Sequence, residues 1–199
     1  SYTLYANTTG SSNTAVGYDS LYQNTTGSNN TGYGYYSLFS NTTGGNNTAT
    51  GWEALKSNTT ASYNTANGMY ALNSNTTGAS STAVGKDSLR YNTTGSNNTA
   101  VGFESLTANT TAEYNVSLGY KAGKSTTTGS VNTAVGAEAF LSNTTGVANV
   151  AVGNSALRNN TTASYNTAVG RQSLQSNTTG ASNTATGNSS LRDNTTGND

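Results

Sequence analysis

Residues 92–108, NTTGSNNTAVGFESLTA, give one complete copy of the repeat that decides the fold. Asn-Thr-Thr-Gly or a near copy begins at positions 7, 24, 41, 58, 75, 92, 109, 126, 143, 160, 177 and 194, so successive starts always differ by 17. We number the positions of this unit 1 to 17 from its first residue. A fixed period without insertions gives each unit the same rise and rotation, which is typical of a solenoid or fibre.

The length of the unit indicates the type of solenoid. A helical repeat needs about 33 residues for two helices and their turns. A 17-residue coil that is mostly extended instead fits a β-solenoid, whose coils pair at about 4.8 Å. We therefore predict an all-β fold in which residues 1–199 form one parallel β-solenoid, or β-roll, of about twelve coils and roughly 55 Å in length.

The composition excludes several classes of protein. Asn (30), Thr (38), Ser (26) and Gly (23) make 117 of 199 residues, whereas Leu, Val and Phe contribute 25 and Ile none. This apolar share is below the roughly 20% typical of a compact core. The chain has no His and no Cys, which excludes Ser-His-Asp triads, Cys-His pairs and ordinary zinc sites. We predict no enzymatic activity, no cofactor and no metal site.

The charge pattern also disfavours two kinds of partner. Eight basic and eight acidic residues balance to zero without clustering, so there is no basic stripe for nucleic acid. No apolar run approaches the roughly 18 residues of a membrane span, and no signal peptide is visible at the first residue. We expect neither nucleic-acid binding nor membrane insertion.

Two positions of the unit are candidates for the core. Position 15 is the stronger, because it is almost always Leu. Its core column comprises Leu21, Leu38, Leu55, Leu72, Leu89, Leu106, Phe140, Leu157, Leu174 and Leu191, with Leu4 before it and Gly123 as an exception. Position 10 is apolar in most coils, and strand alternation places position 8 on its face. Position 9, mostly Ala, is then predicted to point outward, where its small size would allow close approach of a second chain.

Glycine and asparagine indicate the turns. Position 11 is Gly in every complete unit, which predicts a positive φ or a neighbouring backbone too close for a Cβ. Asn-Thr-Thr-Gly is predicted to be a turn with its Gly at positive φ. Stacked turns would align Asn with Asn and Thr with Thr in hydrogen-bonded ladders.

The Asn-Thr-Thr tripeptide also fits the acceptor pattern for N-glycosylation. The candidate acceptors are Asn7, Asn24, Asn41, Asn58, Asn75, Asn92, Asn109, Asn143, Asn160, Asn177 and Asn194. The alternative is that these residues serve only as turn formers and ladders, which would produce the same tripeptides. Glycans on every coil, about 4.8 Å apart, would form a nearly continuous sheath.

Position 12 carries an aromatic and apolar stripe. Its members are Tyr18, Tyr35, Trp52, Met69, Phe103 and Tyr120, with Lys86 interrupting them. Such a stripe could stack against sugar rings or seat a partner chain. The favoured alternative is that the rings cover the Leu column or fill a contact between chains.

Charged and hydroxyl columns suggest two further functions. Acids at position 13 (Asp19, Glu53, Asp87, Glu104 and Glu138) face bases at position 16 (Lys56, Arg90, Lys124, Arg158 and Arg192). We interpret them as surface ion pairs rather than glycosidase carboxylates, because no unique acidic pair stands apart.

Regular columns of Thr also suggest an ice-binding function. Because Asn-Thr-Thr alternates Asn with Thr, however, only single Thr columns are expected to face one way.

The chain resembles known fibre repeats. Asn115 to Gly123 (NVSLGYKAG) is similar to the head-domain repeats of YadA-type trimeric autotransporter adhesins, although the 17-residue unit is longer than the adhesin coil. Regular units such as residues 98–112 (NTAVGFESLTANTTA) resemble arrays in phage tail-fibre and bacterial extracellular fibre proteins. This resemblance covers essentially the whole chain. It implies a left-handed, commonly trimeric β-roll located outside the cell, on a cell surface or on a virion.

These observations predict a structural, non-catalytic rod in an extracellular fibre or filament. Both ends stop within a unit of ordinary repeat sequence, so we expect a segment of a longer fibre or a subunit that stacks end to end. Self-association, as a homotrimer or an end-to-end filament, is the expected partnership, and surface glycans are a further candidate partner. The alternatives are a carbohydrate-binding adhesin or tail-fibre segment and, more distantly, an ice-binding solenoid.

Overall fold

The computed structural model describes residues 2–198 as an all-β solenoid. One short strand occurs in each repeat unit, at positions 8 to 10. The strands are β1 (Thr14–Val16), β2 (Thr31–Tyr33), β3 (Thr48–Thr50), β4 (Thr65–Asn67), β5 (Thr82–Val84), β6 (Thr99–Val101), β7 (Val116–Leu118), β8 (Thr133–Val135), β9 (Val150–Val152), β10 (Thr167–Val169) and β11 (Thr184–Thr186). They form a single parallel sheet in chain order, β1 to β11. The predicted parallel β-solenoid is therefore confirmed.

The register of the sheet follows the repeat without slippage. Thr14 pairs with Thr31, one repeat unit later, and the same offset holds at every later pair of strands. Outside the strands, turns continue the pairing: the Leu21 N–H donates to the Ser37 carbonyl at 3.0 Å, and the Gly34 N–H donates to the Val16 carbonyl at 2.8 Å. Backbone hydrogen bonds between coils therefore run around most of the coil.

The interior is built from small residues around the Leu column. Leu at position 15 is buried, as predicted, from Leu21 to Leu174, whereas Leu191, on which no further coil stacks within the described residues, is 48% exposed. The strand residue that packs beside the column is position 9, whose Ala49, Ala66, Ala83, Ala100 and Ala168 are all fully buried. Ser or Ala at position 14 completes this narrow core.

The predicted facing of the strand is therefore wrong. Positions 8 and 10 point outward, as in β2, where Thr31 and Tyr33 are exposed and Gly32 is buried. The prediction placed Val inside because Val is more apolar than Ala. The coil is too narrow for that, because nearly every turn of the solenoid already holds one Leu and only a small side chain fits beside it. Ala at position 9 is consequently not available to a second chain.

The remainder of the interior is filled by two ladders of buried Asn side chains rather than by apolar residues, which confirms the predicted stacking of Asn on Asn. At position 1, Asn41 Nδ2 donates to Asn24 Oδ1 at 2.7 Å and to the Gly44 carbonyl at 2.9 Å. At position 7, Asn30 Nδ2 donates to the same Gly44 carbonyl at 2.8 Å, and Asn30 N–H donates to Asn13 Oδ1 at 2.9 Å. Both lone pairs of that carbonyl are used, so the buried amides are satisfied.

The turns use left-handed backbone at unexpected positions. Gly at position 11 has φ between 121° and 141°, as predicted. The Gly of Asn-Thr-Thr-Gly does not; positive φ falls instead at positions 6, 13 and 15, including the buried Leu72 at 49°. A Leu in this region is strained, and the burial of its side chain offsets the strain. Space at position 4 is tight, since a Cβ on Gly27 would press against the Gly44 carbonyl oxygen, yet three coils accommodate Ala there, at Ala61, Ala112 and Ala163.

Candidate interaction surfaces

The outer face of the β-sheet is the most regular surface of the rod. We call it the sheet face, and define it as positions 8 and 10 of the eleven strands. Position 8 is Thr except at Val116 and Val150. Position 10 comprises Val16, Tyr33, Thr50, Asn67, Val84, Val101, Leu118, Val135, Val152, Val169 and Thr186. None of these side chains is charged.

Apolar groups on the sheet face are substantially exposed. Val16 is 47% exposed and Tyr33 59%, while Val101, Leu118 and Val169 are each 37% exposed. With strands about 4.8 Å apart, the eleven strands form a strip roughly 50 Å long and two side chains wide. This continuous uncharged strip on a polar molecule is therefore a candidate surface for association.

The aromatic stripe at position 12 lies on the outside of the rod, and its rings stack on one another. Tyr18 and Tyr35 have centroids 5.3 Å apart with an interplanar angle of 19°, and Tyr35 and Trp52 are 4.4 Å apart at 25°. Phe103 and Tyr120 form a second stack at 5.7 Å and 11°. These rings are not part of the interior that holds the Leu column, and their contact with a second chain stays a prediction.

A second aromatic column runs beside the first at position 16. Tyr5, Tyr22 and Phe39 stack with centroids 5.2 Å and 5.4 Å apart. Tyr36 joins the two columns, because its ring lies 4.2 Å from Tyr35 and 4.8 Å from Phe39. The first three coils thus carry one continuous aromatic cluster.

The stacking limits what the position 12 rings can bind. Sugar rings stack on the faces of aromatic side chains, and both faces of Tyr35 are covered by Tyr18 and Trp52. Only the outer faces of the rings at the ends of each stack are free of an aromatic neighbour. The geometry thus favours axial stabilisation of the rod over a row of sugar subsites.

The pKa of one tyrosine in the aromatic cluster is raised. A side-chain hydrogen bond with Tyr35, with a smaller contribution from burial, raises the pKa of Tyr36 to about 12. The phenol of Tyr36 is therefore held in its neutral form above the ordinary range of tyrosine. Lys56 also sits over the Tyr36 ring, 5.3 Å from its centroid.

The charged columns form ion pairs, as expected. Within a coil, Lys56 pairs with Glu53 at 3.1 Å and Arg90 with Asp87 at 3.0 Å. Between coils, Lys124 Nζ lies 2.6 Å from Glu104 Oε2, and Arg158 Nε lies 2.9 Å from Glu138 Oε2. The last two pairs link adjacent coils on the outside of the rod.

The candidate glycan acceptors belong to the buried Asn ladder. Asn24, Asn41, Asn58, Asn75, Asn92, Asn109, Asn143, Asn160 and Asn177 are all fully buried, whereas Asn7 and Asn194 are partly exposed. In Asn41, for example, both hydrogens of Nδ2 are donated inside the rod, one to Asn24 of the preceding coil and one to Gly44. A glycan would replace one of them and has no space in the folded rod. The buried acceptors are therefore inaccessible once the coils have formed.

One coil departs from the pattern, and the sequence signalled this by its irregular residues. Residues 109–125 carry Gly123 where the core column has Leu, and the following unit begins with Thr126 in place of Asn. The apolar core divides at this level into a cluster ending at Leu106 and a cluster beginning at Ala122. A Cβ on Gly123 would lie 3.0 Å from Leu106 Cδ2, so the neighbouring Leu leans into the space.

Residues 2–198 contain no pocket and no group of three or more side chains able to hold a metal ion. The same residues include no helix long and apolar enough to cross a membrane.

Comparisons with known proteins return no match. No protein-family model, curated protein or solved structure matches this chain.

Proposed function

We propose that this chain is a structural, non-catalytic rod of an extracellular or virion fibre, and that copies of it associate laterally through the sheet face. The observation that carries the proposal is the uncharged double column of positions 8 and 10, which points outward along all eleven strands and is exposed or half-buried in each of them. The location outside the cell rests on the resemblance of the repeats to fibre and adhesin arrays.

The occupant of the sheet face is a second copy of the same face. Position 10 places Val84, Val101, Val135, Val152 and Val169 in one column, and an identical column is complementary to it in both chemistry and spacing. The absence of charge on the face means that no like charges would be brought together. The homotrimer that the resemblance implies would bring three such faces to one axis.

The size of the face supports an interface that grows with the number of coils. A strip of roughly 50 Å by 10 Å gives about 500 Å² per chain. Two faces in contact would bury about 1,000 Å², at the lower limit of a specific interface. Each further coil adds the same area, so long arrays would associate more strongly than short ones.

Stiffness is the mechanical property that this fold supplies. Backbone hydrogen bonds between coils, the Asn ladders and the stacked rings all run along the rod axis. Bending the rod would stretch many of these contacts at once. A fibre shaft with these contacts would resist proteases and hold an attached domain at a fixed distance.

The test measures the oligomeric state by light scattering and sedimentation. The wild type is expected to be a homo-oligomer, and the double variant Val101→Lys, Val135→Lys a monomer with unchanged circular dichroism. Matched controls are Thr94→Lys and Thr128→Lys, which lie on the exposed position 3 column and should leave the oligomer intact. A monomeric wild type, or equal effects of both pairs, would refute lateral association.

Ice binding is a second candidate, and the structure gives it one specific observation. The outward Thr column of position 8 has a parallel outward column at position 10, which includes Thr50 and Thr186. Two regular columns on a flat face can order water, which a single column does less well. Thermal hysteresis by a monomeric rod, lost in Val101→Lys, would favour this function; no hysteresis would exclude it.

A further inference from the structure

The Asn ladder at position 1 has one interruption along the described chain, at Thr126. Where an Asn follows an Asn, its amide donates two hydrogens: one to Oδ1 of the Asn in the preceding coil and one to the carbonyl of position 4 in its own coil. Asn92 shows the pattern, with bonds of 2.8 Å to Asn75 Oδ1 and 2.9 Å to the Gly95 carbonyl. Thr126 has no amide with which to make either bond.

The substitution leaves unused hydrogen-bonding capacity on buried groups beside Thr126. Asn109 Oδ1 accepts no hydrogen bond, and Thr126 Oγ1 makes none, although the two residues are 0% and 1% exposed. The Gly129 carbonyl accepts only from Asn115 Nδ2, at 3.0 Å, and lacks the second donor that carbonyls flanked by two ladder Asn residues receive, such as that of Gly44. All three belong to the same ladder level.

The energetic cost of burying these polar groups without hydrogen-bond partners indicates that a bound molecule supplies the missing bonds. A buried polar atom without a partner is strongly destabilising, and such atoms are rare in folded proteins. The other interruption in an Asn ladder is Ser81, at position 7, and there the hydroxyl is satisfied directly: Asn98 N–H donates to Ser81 Oγ at 3.2 Å. The Thr126 hydroxyl, by contrast, neither donates nor accepts a hydrogen bond.

We propose that a single water molecule is bound inside the rod at this level and replaces the missing amide. Water has two hydrogens, as the Asn amide nitrogen does, and would donate one to Asn109 Oδ1 and one to the Gly129 carbonyl. The Thr126 hydroxyl would donate to the water oxygen. Three hydrogen bonds are the usual number for a buried water.

The space required matches the substitution. An Asn side chain has four non-hydrogen atoms and a Thr side chain has three, so Thr with one water restores the number of atoms that the ladder holds at other levels. The polar character of all three neighbours favours water over an empty apolar space. The rod therefore contains one solvent-binding site, at the coil where its core also divides.

A high-resolution structure of the wild-type assembly and of Thr126→Asn tests the proposal. The wild type should show a density peak within hydrogen-bonding distance of Asn109 Oδ1, Thr126 Oγ1 and the Gly129 carbonyl. The variant should lack it and continue the ladder through its new amide. A wild-type map that resolves other waters but has no peak here would overturn the proposal.

Thermal unfolding provides the second measurement. Thr126→Asn should raise the midpoint by about 2–4 °C, since it replaces a water-mediated link with direct bonds. Thr126→Val should lower it, because the water loses one partner. The matched control Asn75→Thr, which places a Thr after Asn58 as Thr126 follows Asn109, would create a second interruption and should bind a second water. A midpoint that rises with sodium or potassium ions but not with a bulky organic cation would identify a metal ion instead, and would refute the water.

Discussion

Two glycines of the unit differ in what a methyl group would meet, and this predicts different outcomes for Gly→Ala substitutions. At position 11, Gly68 has φ of 141°, and a Cβ would lie 2.6 Å from both the carbonyl carbon and the oxygen of Gly85. These are backbone atoms of the next coil and cannot move without separating the coils. At position 4, a Cβ on Gly27 would meet the Gly44 carbonyl oxygen and Asn24 Oδ1, yet the chain itself carries Ala at this position in other coils.

The natural Ala coils show what position 4 loses. In the coil that contains Gly27, the N–H groups of Thr26 and Gly27 donate to the Thr42 carbonyl at 3.1 Å and 3.2 Å. In the coil that contains Ala61, the equivalent N–H groups of Thr60 and Ala61 donate to no carbonyl. Gly27→Ala should therefore lose these two weak bonds, which lowers the free energy of unfolding by about 1–2 kcal/mol. Restricting the unfolded chain returns up to about 1 kcal/mol of that loss.

Gly68→Ala should cost considerably more. The backbone conformation is nearly exclusive to Gly, and forcing Ala into it costs about 1–3 kcal/mol. Relief of the contact with Gly85 would stretch the bonds from Gly68 N–H to Thr50 and from Gly85 N–H to Asn67, both 2.8 Å. These bonds contribute about 1–3 kcal/mol together. The sum is roughly 2–6 kcal/mol, or about 5–20 °C in the unfolding midpoint.

Thermal unfolding followed by circular dichroism measures both variants, and amide hydrogen exchange locates the damage. Exchange in Gly68→Ala should accelerate first in the coils on either side of residue 68, because each coil contacts only its neighbours. Gly27→Ala should unfold within about 6 °C of the wild type. If the two variants were equally stable, or if Gly68→Ala were the more stable, the steric argument would be refuted.

Three further predictions concern the core, the sheet face and the aromatic cluster. Leu72→Ala should cost about 2–5 kcal/mol and, in hydrogen exchange, expose adjacent coils first; a cost below about 1 kcal/mol would contradict a stacked Leu core. Ala100→Leu should destabilise the rod by about 1–3 kcal/mol through overpacking, whereas Val101→Leu should leave monomer stability nearly unchanged; the reverse result would mean that the strand faces the other way. Tyr36 should ionise near pH 12 in an ultraviolet titration, and Tyr35→Phe should lower that pKa. Because the pKa of Tyr36 is higher in the folded chain, its neutral phenol stabilises the fold below the unfolded pKa near 10. That stabilisation is lost as the pH rises towards 12, and it should be smaller in Tyr35→Phe.

The period of the repeat was sufficient to predict the architecture. A strict period, a nearly invariant Leu and a nearly invariant Gly predict stacked coils, an interior Leu column and a restricted backbone at position 11, and all three are present. Stacking of Asn on Asn was likewise predictable, because identical residues in register meet in adjacent coils.

The facing of the strand was not predictable from hydrophobicity. Val101 is more apolar than Ala100, yet Ala100 is buried and Val101 is 37% exposed. With strands of three residues, size decides the facing, because one Leu leaves little room inside the coil. The positive φ of Leu72 was equally hidden, since Leu rarely adopts it and only the closed path of the coil imposes it.

Parallel pairing at a constant offset also determines how the rod can fold. Strand partners are separated by one repeat unit at every level. The relative contact order is therefore about 0.09, the separation of 17 residues divided by the chain length of 199, and such a value is typical of small helical proteins. Most all-β proteins bring distant segments together and fold slowly for that reason. Here each new coil needs only the coil made just before it, so folding can advance during synthesis, one coil at a time, from the first coil to the last.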